Sequence, residues 1–151
     1  MERLLTELCD PLCHGHHIGR LYPAVSAYLG ELAGSLQEQE AYLLPNVAGL
    51  EPFGSEHSLG PGYHLRWTPG PTPGSAVLLA DRALNGAPLL FCGRLLSPVA
   101  EGQARPLRTR RSFHWGRWLR SLEALKDWLP SSAPVALASG AGARQSPGAL
   151  S

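Results

Sequence analysis

The longest regular spacing of apolar residues in this 151-residue chain lies in its first third. Apolar side chains recur there at alternating intervals of four and three residues, which places them on one face of a helix. Pro23 is tolerated only in a first turn and Pro45 ends the pattern, so the spacing predicts a helix over about 21–44. The stripe consists of Ile18, Tyr22, Val25, Leu29, Leu32 and Leu36.

Two shorter patterns predict a further helix and a first strand. Leucines in 2–9 have helical spacing up to Asp10-Pro11, and the residue before a proline is disfavoured in a helix, so a helix of one or two turns is expected there. Residues 63–67 instead alternate with a period of two. This alternation predicts a strand whose buried face carries Tyr63, Leu65 and Trp67.

Two apolar runs, 76–80 and 89–96, predict the remaining strands. They flank Asn85-Gly86, a dipeptide preferred in tight hairpin turns because both of its residues tolerate positive φ. Together with 63–67 they predict a three-stranded antiparallel sheet.

The C-terminal part of the chain contains one more helical pattern and then a change of composition. Ser112 is a candidate N-cap, and Pro130 ends a helix expected over about 113–129. Residues 131–151 are rich in Ala, Gly, Ser and Pro, so they are expected to form a disordered tail that is dispensable for folding. The apolar stripe of this helix is Trp115, Trp118, Leu119, Leu122, Leu125 and Leu129.

These elements predict an α+β fold. A small three-stranded antiparallel sheet packs against two longer helices, with a short N-terminal helix and a disordered C-terminal tail. The predicted single domain covers 1–130, and the tail covers 131–151.

The composition favours a protein of the cytoplasm or nucleus. Three cysteines are an odd number without the spacing of a disulfide framework. No apolar run reaches the length of a membrane span, and the acidic first turns are unlike a secretory signal.

Charge is distributed unevenly along the chain, although the net charge is only +1. Residues 1–60 hold two basic and eight acidic side chains, whereas residues 61–151 hold eleven basic and four acidic ones. Such asymmetry suggests either that the two halves pair with each other or that a basic face binds an acidic partner.

A cluster of cysteine and histidine residues near the N-terminus is the one candidate metal site. Cys9, Cys13, His16 and His17 are potential zinc ligands. A structural zinc site usually takes half of its ligands from a second segment at matching spacing, and the chain has no such segment. We therefore favour a polar loop, and predict neither metal nor cofactor.

Recognised catalytic motifs are missing from the sequence. Acid–base chemistry would have to come from His57, His64 and Asp81, which the sequence does not bring together. Whether the chain is an enzyme stays open, with a non-enzymatic role favoured.

The basic segment Arg105–Arg120 is the most distinctive chemical feature. It contains six arginines, interleaved with Phe113, His114, Trp115 and Trp118. Our main interpretation is a non-enzymatic subunit or adaptor of an intracellular multiprotein complex. It binds a protein partner through the Arg- and Trp-bearing helix expected over 113–129 and through the apolar stripe of helix 21–44. The predicted contact residues are Arg108, Arg110, Arg111, Trp115 and Trp118.

Two alternatives remain beside this interpretation. The first is a nucleic-acid-associated protein, because arginines bind phosphates and aromatic rings stack on unpaired bases. The second is a small-molecule enzyme with a site around His57, His64 and Asp81.

Overall fold

The computed structural model describes residues 34–43, 49–84, 86–100, 102–131 and 135–139. Within these ranges the chain forms nine strands, one 3-10 helix and one α-helix. The strands are β1 (Gly34–Gln37), β2 (Leu50–Phe53), β3 (Glu56–Gly60), β4 (Tyr63–Trp67), β5 (Ala76–Leu84), β6 (Ala87–Gly93), β7 (Ser97–Ala100), β8 (Gln103–Arg105) and β9 (Ala136–Ser139). The 3-10 helix, Glu38–Leu43, follows β1, and the α-helix α1, Trp115–Trp128, lies between β8 and β9.

A five-stranded mixed sheet of order β3-β4-β5-β6-β9 forms the centre of the fold. Its first four strands run antiparallel to their neighbours, and β9 pairs parallel to β6. Two smaller sheets accompany it: β1 pairs parallel with β2, and β7 pairs antiparallel with β8.

Helix α1 covers one face of the central sheet and forms the main core with it. Val77 and Leu90 point towards the helix and are fully buried, and Trp118 and Leu125 of the helix are almost fully buried. The Trp118 indole N–H donates to the Leu95 carbonyl at 2.9 Å, so the polar atom of this buried ring is satisfied. Burial of each large side chain stabilises the fold by about 2 kcal/mol.

Several local predictions are confirmed. Residues 63–67 form β4, although Tyr63, expected on its buried face, is 50% exposed. Strands β5 and β6 form a hairpin in which Gly86 has a φ of 82°. Helix α1 lies within the predicted range 113–129. Its N-cap, however, is His114, whose side chain accepts from the Arg117 N–H, and not Ser112.

The predicted fold as a whole is wrong. The central sheet has five strands instead of three, and the structure is mostly β rather than a small sheet on two long helices. Residues of the predicted helix 21–44 that the structure describes, 34–43, form β1 and the 3-10 helix. Pairing with β2 overrides the helical spacing. At Gly34 the missing side chain leaves room for that of Leu50, whose Cδ2 would lie 3.1 Å from an added Cβ.

The tail prediction also fails for four residues, because Ala136–Ser139 is a strand of the central sheet. The remainder of helix 21–44 and the short helix over 2–9 lie outside the described residues. In the described part of the chain, no helix has the length and apolar character needed to span a membrane.

Candidate functional site

Five arginines form what we call the basic surface. Three lie in the loop that leads into α1 and two in the first turns of the helix, and all five are exposed. They are Arg108, Arg110, Arg111, Arg117 and Arg120. Arg105, at the end of β8, is also exposed.

Main-chain hydrogen bonds hold the loop of the basic surface in place. The N–H groups of Phe113 and His114 donate to the carbonyls of Pro71 and Gly70, at 3.2 and 3.1 Å. Gly70 in turn lies against Trp118, so the loop is fixed to the core of the domain. The arginines on either side of Phe113 and His114 in sequence therefore lie on an anchored backbone.

A compact turn presents Arg110 and Arg111 at its tip. The Ser112 N–H donates to the Thr109 carbonyl at 3.1 Å, and the Ser112 hydroxyl accepts from the Thr109 N–H at 2.8 Å. The Thr109 hydroxyl accepts from the Arg111 N–H at 3.2 Å. Ser112 thus stabilises this turn. It does not cap the helix, which is the role that the sequence predicted for it.

The basic surface has no carboxylate partner among the residues that the structure describes. The described acidic residues of the N-terminal half have other partners. Glu56 pairs with Arg66 at 2.6 Å, and a carboxylate oxygen of Glu40 accepts from the Gly74 N–H at 2.9 Å. Glu38 and Glu51 are exposed, and neither forms an ion pair with an arginine of the basic surface. Among the described residues, no carboxylate therefore neutralises these five guanidinium groups.

The aromatic residues of the basic segment have different environments. Trp118 is only 2% exposed and belongs to the core, so its predicted role as a contact residue is wrong. Trp115 is half-buried, in edge-on contact with Trp118 at 5.5 Å between ring centroids, and the Arg108 guanidinium lies 5.9 Å from its ring centre. Phe113, by contrast, is 49% exposed.

His64 and Asp81, two of the three predicted acid–base residues, meet in the structure. They lie on the same face of neighbouring strands, and His64 Nε2 is 3.3 Å from Asp81 Oδ2. His57 pairs with Leu65 while His64 pairs with Ser58, so the two histidines point to opposite faces of the sheet. His57 stacks on Phe53 instead, at 6.0 Å between ring centroids.

An open cleft of about 410 Å³ is lined by Asp81 of the His64–Asp81 pair. The main-chain N–H of Asp81 donates to the Gly62 carbonyl at 2.9 Å, which fixes the carboxylate beside the turn between β3 and β4. The cleft is lined by Pro61, Gly62, Tyr63, Asp81 and Arg82. The sequence pattern could not reveal the cleft, since it joins residues at the turn between β3 and β4 with residues of β5.

No three cysteine, histidine or acidic side chains come together as a metal site in the part of the chain that the structure describes. Cys92 is buried, and its thiol contacts the carbonyls of Leu96 and Ala138. The candidate ligands Cys9, Cys13, His16 and His17 lie outside the described residues.

Comparisons with known proteins give only distant similarity. No family model matches the chain, and no curated protein matches it. A variant of the AiiA enzyme of B. thuringiensis, solved with N-decanoyl-L-homoserine at its active site, has 18% identity and a TM-score of 0.48 over 65% of this chain and 43% of that one. An N-acyl homoserine lactone hydrolase with N-hexanoyl-L-homoserine at its catalytic metal center has 19% identity and a TM-score of 0.46, over 62% and 41%.

A quorum-quenching N-acyl homoserine lactone lactonase is similar to the same degree, with 19% identity and a TM-score of 0.44 over 62% of this chain. This chain spans less than half of the length of each of these enzymes. Similarity at this level assigns no activity to the chain.

The adaptor prediction is corrected by the structure. Its physical basis is lost, because Trp118 is a core residue and residues 34–43 do not continue the apolar helix stripe.

Proposed function

We propose that this domain binds nucleic acid through phosphate contacts of the basic surface. One observation carries the proposal: five exposed arginines are held on an anchored loop and helix, without a carboxylate partner among the described residues. Guanidinium groups pair with phosphates in a bidentate manner, and arginine remains charged at any physiological pH.

The anchored backbone matters for affinity. Ordering a flexible loop upon binding costs conformational entropy. This loop is already ordered by its bonds to Gly70 and Pro71, so binding incurs less of that cost. The absence of competing carboxylates acts in the same direction, because no ion pair with a described residue has to be broken before a phosphate binds.

The test is the salt dependence of binding to fluorescein-labelled oligonucleotides, measured by fluorescence anisotropy. Affinity should fall steeply as salt rises, because each neutralised phosphate releases counterions. The double variant Arg110→Glu/Arg111→Glu should bind more weakly, and loss of two phosphate contacts on a single strand should flatten the slope of log K against log salt by about 1.4.

A matched control separates the basic surface from the overall charge. Arg82→Glu/Lys126→Glu changes the net charge equally at two exposed residues outside the surface. It should leave the slope unchanged. Equal effects of the two double variants, an absence of binding at low salt, or tighter binding of a polyglutamate peptide than of any oligonucleotide would each contradict the proposal.

A second candidate function, acid–base catalysis on a small molecule, rests on the His64–Asp81 pair. When the Nε2–H of His64 donates to Asp81, Nδ1 is left as an acceptor that can take a proton from water. The side chains are 42% and 47% exposed, and Asp81 lines the open cleft, so a substrate can reach the pair.

Hydrolysis of p-nitrophenyl butyrate and of an N-acyl homoserine lactone tests this second candidate. Catalysis at the pair should be saturable, and His64→Gln and Asp81→Asn should lower kcat. His57→Gln, on the opposite face of the sheet, is the control and should change nothing. A rate that rises linearly with substrate, or that all three variants share, would reject the site.

A further inference from the structure

We propose that Phe113 is a base-stacking residue, which makes the basic surface selective for single-stranded over duplex nucleic acid. This inference rests on the proposed function, because it concerns the same surface. It assigns the aromatic contact that phosphate pairing alone does not provide.

The structure excludes the two tryptophans of the segment and leaves Phe113. Trp118 is enclosed by the core, with its indole N–H bonded to Leu95. Trp115 packs its ring against Trp118 and against the guanidinium of Arg108. Phe113 is 49% exposed and lies outside the hydrophobic core that the structure describes.

The backbone holds the Phe113 ring at a defined position within the basic surface. Its own N–H is bonded to Pro71, and the next N–H, of His114, is bonded to Gly70. Arg111 precedes the ring by two residues, and Arg117 follows it by four on α1. The neighbouring His114 ring lies 6.2 Å away at an angle of 58°, so Phe113 stands beside a second ring without being covered by a parallel stack.

This arrangement fits a single strand. Unpaired bases offer their flat faces to an aromatic ring while the backbone phosphates follow the arginines. In a duplex the base faces are already stacked on each other, so an aromatic ring finds no free base face. The exposed Phe113 ring can therefore stack on a base of a single strand but not on a base of an intact duplex.

The experiment compares single-stranded oligodeoxythymidylate with a duplex of equal length. Phe113→Leu should weaken single-strand binding about tenfold and leave duplex binding unchanged, since stacking accounts for that order of affinity. Phe113→Trp should retain the single-strand affinity. Tyr63→Leu is the matched control, because Tyr63 is 50% exposed and lies on β4 outside the basic surface.

The outcomes separate this inference from the proposed function. If Phe113→Leu weakens both ligands equally or neither, Phe113 does not stack on bases, while a loss of binding in Arg110→Glu/Arg111→Glu would still support the phosphate contacts. If the unaltered domain binds neither ligand, both proposals fail. Thermal unfolding of each variant shows whether a loss of affinity comes from misfolding.

Discussion

Gly70 lies directly against Trp118, and this contact joins the loop between β4 and β5 to helix α1. A Cβ atom placed on Gly70 would stand 2.4 Å from Trp118 Cβ and 2.5 Å from its Cα. Main-chain and side-chain atoms closer than van der Waals contact cannot both be accommodated, so only glycine fits. The contact also supports the basic surface, since the Gly70 carbonyl accepts from the His114 N–H.

Gly70→Ala should therefore destabilise the domain by about 3 kcal/mol, because the new methyl group displaces the backbone of α1. Urea unfolding followed by tryptophan fluorescence measures the change. Gly54→Ala is the control, since nothing lies within 4 Å of the added atom, and it should have little effect. Similar stabilities of the two variants would show that the loop moves freely away from the helix.

The buried carboxylate of Glu40 makes a second prediction. It is 2% exposed and accepts from the Gly74 N–H at 2.9 Å, across 34 residues of sequence. Glu40→Ala should cost about 3 kcal/mol of unfolding free energy, since it removes the acceptor of a buried N–H. Glu40→Gln keeps an amide oxygen and should cost less. Glu38→Ala, at an exposed position of the same 3-10 helix, should be neutral, and a cost equal to that of Glu40→Ala would refute the structural role.

Capping by His114 is testable through helix stability. His114 Nδ1 accepts from the Arg117 N–H at 3.1 Å. His114→Ala should destabilise the domain by about 1 kcal/mol, and His114→Asn, which retains a capping acceptor, should lose little. Chemical unfolding monitored by circular dichroism distinguishes them. Identical losses in both variants would mean that another group satisfies the first turn of α1.

Strand β9 should contribute to stability, contrary to the prediction that residues 131–151 are dispensable. The buried Ser139 hydroxyl bonds to the carbonyls of Leu96 and Gly93, at 2.7 and 3.2 Å. A chain that ends at Ser131 should unfold at a clearly lower temperature than one that ends at Ser139, which retains β9. Ser139→Ala should lower the free energy of unfolding by about 1–3 kcal/mol. Equal thermal midpoints of the two truncated chains would instead support the dispensable tail.

The sequence by itself determined the elements whose signals are local. The alternation in 63–67, the glycine of the β5–β6 turn and the leucine and tryptophan spacing of α1 each lie within one element or one turn. The sequence also marked the basic segment as the distinctive chemistry, and those arginines are exposed in the structure.

Only the tertiary structure decided which segments pair and which rings are buried. The composition of Ala136–Ser139 suggests a tail, but the free edge of β6 provides hydrogen-bond partners that turn it into a strand. Residues 34–43 carry helical spacing, yet the neighbouring β2 imposes a strand on the first four of them. Phe113, Trp115 and Trp118 are all aromatic residues of one short segment, and only their packing shows which ring belongs to the core and which to the surface. Such outcomes depend on contacts between distant residues, and no pattern within a single segment records those contacts.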